Sequence, residues 1–323
     1  MGFWRISADT LANGRFVVSP LAEAIAALKT LELSTAAHPG ERVWLDAHLP
    51  AYRARLADDP ITALLVRAAL GRTWNADFLT PTPTGDDTSF EEELASIRET
   101  PPAQARENLT ESLGGPLPPA LHRSDLPERL AAHVEWVWRE SVLPYWPRRR
   151  RVLEADVVAR TARLSRGGWA AALDGLRPGM RWLGDGRLRI NAFDYPPRDL
   201  TGARLMFVPV TPRQAWATWD DSDRSAVVYP CSGTLADTPA EPPEALGRLM
   251  GHARAGVLVL LDSPKSTTQL VALTGQGLGS VGRHLKVLLD ARLVGRRRSG
   301  RSVLYYRTET GDVLVRAHTA ETG

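Results

Sequence analysis

The sequence is short of several things, and each shortage closes off a class of function. Cys231 is the sole cysteine in 323 residues. That excludes an intrachain disulfide and a CxxC metal motif. Lysine occurs only at Lys29, Lys265 and Lys286; the remaining positive charge is arginine, a bias that fits a GC-rich coding sequence. No stretch approaches the roughly 18 apolar residues of a membrane span, and the densest, Ala255 to Leu261, is far shorter. The N-terminus lacks the basic-then-apolar layout of a signal peptide. A cytoplasmic, nucleoid-associated protein without a membrane partner is expected. The first 234 residues carry no P-loop, nucleophile elbow or HExxH. His38, His48, His122, His133 and His252 are scattered, and the acid pairs Asp58-Asp59, Asp86-Asp87 and Asp220-Asp221 sit beside turns. All of these read as structural or solvated, so no enzyme and no cofactor are expected.

What is present is an ordinary soluble composition, 43% hydrophobic and 24% charged, on a chain long enough for two cores. Charge is uneven. Residues Glu244 to Gly323 hold twelve Lys plus Arg against six Asp plus Glu, a balance of +6, and the rest hold 28 against 31, a balance of −3. A basic C-terminal quarter points to a polyanionic partner.

In chain order, Phe3 to Ile6 reads as extended. Helical spacing then runs through Leu21 to Leu33, Glu41 to Ala57 and Ile61 to Leu70, with Pro20 suited to a first turn and Asp59-Pro60 dividing two helices. Thr80 to Ser89 reads as an exposed loop. Phe90 to Arg98, Ala103 to Leu113, Asp125 to Leu143 and Arg148 to Leu164 follow as helices; Ser124 or Asp125 caps the third, and Gly167-Gly168 ends the fourth. The run Arg148 to Arg151 reads first as a solvated helix face and second as a contact for DNA or a partner. From Met180 short extended segments appear at Arg187 to Ala192, Ala203 to Val208, Ala215 to Trp219 and Ala226 to Tyr229, as in a small antiparallel sheet. Interleaved tryptophans such as Trp136, Trp138 and Trp146 read as core, with an aromatic-walled ligand pocket as the alternative. Leu235 to Pro243, with three prolines, reads as the linker. The expected fold is therefore α+β, mainly α: a helical N-terminal domain with a small antiparallel sheet over 1–234, a linker over 235–243, and a C-terminal domain over 244–323.

That last domain is the most informative. Glu244 to Leu261 reads as one helix with an apolar stripe. Asp262-Ser263-Pro264 ends it, and Ser266-Thr-Thr-Gln269 fits a capping box. A short helix and a turn at Thr274 to Gly277 precede a second helix, roughly Gly279 to Ala291. At about 100° per residue, Val281, Leu285, Leu288 and Leu289 fall on one side, Arg283 and Lys286 point away, and Ser280 and His284 lie on a flank. Gly295 to Arg307 then reads as a hairpin, with Ser299-Gly300 at the turn and Arg296, Arg297, Arg298 and Arg301 near its tip. A helix-turn-helix followed by an arginine hairpin suits a major groove and the flanking phosphates.

On the TTQL helix, the SVGRHLKVLLDARLV helix and the RRRSGRSVLYYR hairpin, residues 244 to 308 resemble the winged helix-turn-helix of ArsR/SmtB-type transcriptional regulators. The resemblance implies a homodimeric repressor on a palindromic double-stranded DNA operator, released by an effector. It implies DNA contacts from Thr268, Gln269, Ser280, Arg283, His284, Lys286, Arg296, Arg297, Arg298, Arg301 and Tyr306. The N-terminal part is similar to the accessory region of a group of actinobacterial regulators of uncharacterised ligand, which implies effector binding or dimerisation. TTQLVAL has no cysteine and only His318 follows the wing, so the effector expected is a non-metal small molecule. Gly277, Gly279 and Gly282 stand where polar side chains are common in the family; Gly277 still serves as a helix cap, while Gly279 and Gly282 remove side chains that could read bases.

One motif competes. Gly277-Leu-Gly-Ser-Val-Gly282 is a literal GxGxxG, and with Val271-Ala-Leu as a strand it would open an NAD(P)-binding unit of an oxidoreductase. A capped helix before it, only about forty residues after it, and no acidic strand end about twenty residues on all favour the DNA-binding reading.

Overall fold

The computed structural model describes residues 3–37, 39–71, 73–85, 88–173, 175–177, 179–190, 197–220, 223–231, 242–261, 264–299 and 302–319. Strands β1 (Phe3–Arg5) and β2 (Arg15–Phe16) flank helix α1 (Ala8–Ala12). Then come α2 (Pro20–Leu33), α3 (Pro39–Asp58), α4 (Pro60–Ala69), α5 (Phe90–Arg98), α6 (Pro102–Leu113) and α7 (Leu126–Val137). α2 is the centre of this body. The Ser19 hydroxyl accepts from the Ala22 amide at its start, Pro20 fills its first turn, and Ser34 ends it at φ 52°. Its residues from Pro20 to Leu28 are all buried, as expected of a helix apolar around its whole girth. α3, α5 and α7 surround it. The capping-box geometry at Ser89 and Glu92 fixes the start of α5.

Three sequence expectations change here. The described residues of Thr80 to Ser89 are irregular but not wholly exposed: Thr80 and Thr82 are buried, and Thr218 Oγ1 donates to Thr80 O at 2.7 Å. α7 stops at Val137 and continues as a π-helical turn, Trp138–Val142, rather than running evenly to Leu143. Asp125 makes no side-chain cap; its carboxylate is taken by Arg123 and Arg129.

α8 (Trp146–Leu173) breaks at Gly168, φ 66°, as the Gly167-Gly168 pair predicts. Strands β3 (Arg181–Gly184), β4 (Arg187–Arg189), β5 (Arg198–Asp199), β6 (Arg204–Val210), β7 (Trp216–Trp219) and β8 (Arg224–Pro230) follow. They form two four-stranded sheets with β1 and β2, in the orders β3-β4-β1-β5 and β2-β6-β8-β7. The expected small antiparallel sheet is thus corrected to two mixed ones. β6 and β8 pair in parallel from Arg204 with Arg224 to Val210 with Pro230, and β7 returns antiparallel on the outer edge of β8. The reason is burial on both faces. Met206, Val208, Val210, Ala226 and Val228 join the helical core, while Leu205, Phe207, Val227 and Tyr229 join a second core with Trp4, Ile6 and Leu188. Unbroken apolar runs, LMFV and AVVY, mark such strands.

The C-terminal residues have a third core. α9 (Glu244–Met250) and α10 (His252–Leu260) replace the single expected helix, because Gly251 sits at φ 88° between them. Next are β9 (Lys265–Ser266), α11 (Thr267–Thr274), α12 (Leu278–Asp290), β10 (Val294–Ser299), β11 (Ser302–Arg307) and α13 (Glu309–Thr319). Val152 of α8 is buried in this core, and α8 packs along α11. Among the described residues helix predominates, at 59% against 16% strand, as the mainly-α expectation has it. The 235–241 part of the expected linker lies outside the described residues, as do Asp262-Ser263, Asn191-Ala192, Asp86-Asp87, Asp221 and His38.

Candidate nucleic-acid interface

α11 begins at a complete capping box. Ser266 Oγ accepts from the Gln269 amide at 3.2 Å, and Gln269 Oε1 accepts from the Ser266 amide at 2.7 Å. It ends at Gly275, φ 68°, whose amide donates to Val271 O. After a three-residue turn Gly277 caps α12 in extended conformation, φ −66°. Val281, Leu285 and Leu288 are buried beneath α12. Gly282, Arg283, Lys286 and Val287 are exposed, and Ser280 and His284 are half-buried. The period-3.6 pattern therefore divides the helix as its sequence predicts.

β10 and β11 pair antiparallel: Arg296 faces Tyr305, Arg297 faces Leu304 and Arg298 faces Val303. β9 adds a third strand on β11, so the strand before α11 anchors the hairpin beside α12. Arg296, Arg297 and Arg298 are exposed. Arg301 lies outside the described residues. Tyr306 has a structural part to play, since a Cβ at Gly295 would stand 2.7 Å from its ring; the ring lies across the glycine. Gln269 Oε1 is likewise engaged in capping, and Thr268 is half-buried beside it on α11.

Electrostatics favour an anion. Among the described residues, Arg283, Lys286, Arg296, Arg297 and Arg298 have no carboxylate within ion-pair distance. Burial, and then the guanidinium groups of Arg254 and Arg283, pushes the His284 pKa below its ordinary value. The shift favours the neutral ring, which has both a donor and an acceptor nitrogen; its Nε2 lies 3.2 Å from Ser280 Oγ, which donates to Gln276 Oε1 at 3.2 Å. Arg254 is the residue that sequence reading missed. Its charge bears on His284 because α10 packs on α12, and no local motif marks it.

The other candidates disperse. Arg148 to Arg151 is not a uniform solvated face: Arg149 is fully buried on Glu23, and Arg150 pairs with Glu154 at 2.8 Å. The strand that a dinucleotide loop needs before Gly277 is helix α11, and Gly279 and Gly282 lie inside α12. Among the described residues no group of three His, Cys, Asp or Glu side chains is placed to hold a metal ion. No helix there is long and apolar enough to cross a membrane. Comparison with protein-family models, with curated proteins and with solved structures finds no match for this chain.

Proposed function

We propose that the chain is a sequence-specific, DNA-binding transcriptional regulator of the ArsR type, acting as a dimeric repressor on a double-stranded operator. In this reading residues 244–319 are a winged helix-turn-helix, α12 is the recognition helix and the β10–β11 hairpin is the wing. The observation that carries it is the set of five exposed cations, with no carboxylate at ion-pair distance among the described residues, spread over α12 and the adjoining hairpin of an otherwise well-packed unit. A helix presents such a face to a major groove, and a hairpin presents it to phosphates.

Base readout falls to Ser280, Arg283 and His284, since Gly279 and Gly282 offer no side chain. Arg283 contributes the bidentate guanine contact, worth about 1–3 kcal/mol of discrimination. Arg283→Ala should abolish operator preference and leave weak, salt-sensitive binding. Gel shifts on operator and scrambled DNA check this; undiminished discrimination would overturn the role of Arg283. The N-terminal body is the effector-binding or assembly part, and its effector is a non-metal small molecule.

A further inference from the structure

The body contains a cleft of about 650 Å³ between the start of α5, the π-helical turn and α8. That volume is within the usual range for small-molecule sites, roughly 300–1,000 Å³. Its walls are mostly aromatic and aliphatic. Phe90 stacks on Trp138 with ring centres 4.5 Å apart and planes 7° from parallel, and Trp146 meets Trp138 edge-on at 5.2 Å. Val157 and Val158 supply the α8 side, and Val158 is 60% exposed. The cleft floor includes Trp138, the first residue of the π-helical turn, a distortion that recurs at functional sites.

Charge at the rim is net negative: Glu91 and Glu154 against Arg150, whose Nε already holds Glu154 at 2.8 Å. Trp146, Arg150, Glu154, Val157 and Val158 form one stripe of α8. At about 100° per residue, Val152 lies on the opposite side, and it is buried in the C-terminal core where α8 packs along α11.

We propose that this cleft binds a flat, polycyclic aromatic molecule, uncharged or singly cationic, and that occupancy is transmitted through α8 to α11. Phe90 and Trp138 are buried and brace the wall, while half-buried Phe16 and Trp146 and exposed Leu143 and Val158 offer the apolar surface that a flat ring system would cover, and the acidic rim disfavours an anion. A ligand that shifts the cleft stripe of α8 moves its far side against the first helix of the helix-turn-helix. The consequence for DNA affinity rests on the function proposed above; the binding and the response of α11 do not.

The test uses the full-length chain and 1-aminoanthracene as probe. All ten tryptophans precede residue 220, and two line the cleft, so saturable quenching of tryptophan emission reports binding. Val158→Arg and Leu143→Arg, at positions 60% and 46% exposed, keep the fold and weaken the probe on the order of tenfold by placing a charge in an apolar wall. Anthracene-9-carboxylate binds about threefold more weakly than the neutral probe, the scale of one exposed charge interaction. Hydrogen exchange over Thr267–Thr274 changes when the probe binds, and does so in wild type only. Absent saturation, or equal binding to wild type and variants, would overturn the site. So would loss of dimer in Val158→Arg with the probe unaffected, because the cleft would then be a subunit interface. Binding without a change in α11 would overturn the coupling. If probe binding and the α11 response held while the chain bound no operator, the DNA-binding reading would fail and the ligand site would stand.

Discussion

Arginine does opposite work in the two parts of this molecule. In the N-terminal body several arginines are held by carboxylates: Arg98 by Glu128 and Glu135, Arg129 by Asp59 and Asp125, Arg224 by Asp220, and Arg149 by Glu23 with both side chains completely buried. Among the described residues, Arg283 on α12 and Arg296, Arg297 and Arg298 on β10 stand in solvent with no acid at ion-pair distance, whereas Arg307 at the end of β11 pairs with Asp312 at 2.9 Å. Composition treats these arginines alike, yet a paired arginine contributes structure and an unpaired exposed one contributes potential. The difference teaches where to look for a polyanion, and it can be broken from either side.

The largest effect belongs to the buried pair. Glu23 Oε1 accepts from Arg149 Nη1 at 2.7 Å and from the Thr211 hydroxyl, and Oε2 accepts from the Thr211 amide at 2.8 Å. Arg149 also lies over the Trp44 ring at 5.0 Å. Glu23→Gln leaves a buried guanidinium without its anion and should cost about 3–5 kcal/mol. Glu23→Leu with Arg149→Met should recover most of that, because a buried pair offsets its own desolvation poorly. Urea unfolding followed by tryptophan emission reads the body alone. DNA affinity of folded protein should be unchanged in both; a parallel drop in DNA affinity would erase the distinction between the two kinds of arginine.

Next comes pH, again a property of the body. Burial pushes the Glu93 carboxyl up from 4.5 to about 7, against the hydrogen bonds from the Leu21 amide and the Ser19 hydroxyl that lower it. A folded-state pKa raised above the unfolded value means that the folded chain holds the proton longer. The stabilisation is complete below pH 4.5 and is lost as pH rises through 7. His133 has the opposite slope: burial lowers it from 6.5 to about 4, so its contribution is lost as pH falls through that window. Glu93→Gln should therefore gain stability relative to wild type between pH 4.5 and 7, by up to about 3 kcal/mol. A difference independent of pH would mean that Glu93 stays ionised throughout.

Smaller still is the wing. Arg297→Ala with Arg298→Ala should weaken operator and scrambled DNA alike and flatten the log–log salt slope by about 0.9 for each phosphate no longer neutralised. Emission-detected stability should not move. Weakening confined to the operator would make the wing a reader of sequence.

How far the sequence announced all this depends on whether the cause was local. The capping box at Ser266, the break at Gly168, the bounds of α2 and α5 and the two faces of α12 are set by residues within one or two turns, and they were legible; the Ser89-Phe-Glu-Glu92 box is equally local but reads in the sequence as the end of a loop. The parallel pairing of β6 with β8 was half legible, since LMFV and AVVY are unbroken apolar runs rather than alternations. Arg149 was not legible at all. Its partner Glu23 lies 126 positions away on an alanine-rich helix, and nothing in the run Arg148 to Arg151 distinguishes the buried member from its half-buried and exposed neighbours. The split at Gly251 was hidden because the apolar stripe keeps its period across it. For the interface, cations and apolar positions were readable; Arg254 acting on His284 was not, because only tertiary packing brings α10 to α12.

The smallest effect bears on the glycines of α12, whose bareness has two physical meanings. A Cβ at Gly279 or Gly282 meets nothing within 4 Å, so the protein itself gives no steric reason for either. Gly282→Ala should then stabilise α12 by about 0.5–1 kcal/mol, the usual cost of glycine in a helix interior. Since no tryptophan lies in this unit, helical ellipticity on heating is the measurement. Gly295→Ala has the opposite sign: its Cβ would stand 2.7 Å from the Tyr306 ring, the ring must swing away, and the hairpin loses packing worth about 1 kcal/mol. DNA binding completes the contrast. If Gly279 and Gly282 are merely missing base contacts, Gly282→Ala keeps full operator affinity while gaining stability. If affinity drops although the helix is firmer, the glycines let the backbone approach the groove closely, and recognition rests on the shape of α12 as much as on Ser280, Arg283 and His284.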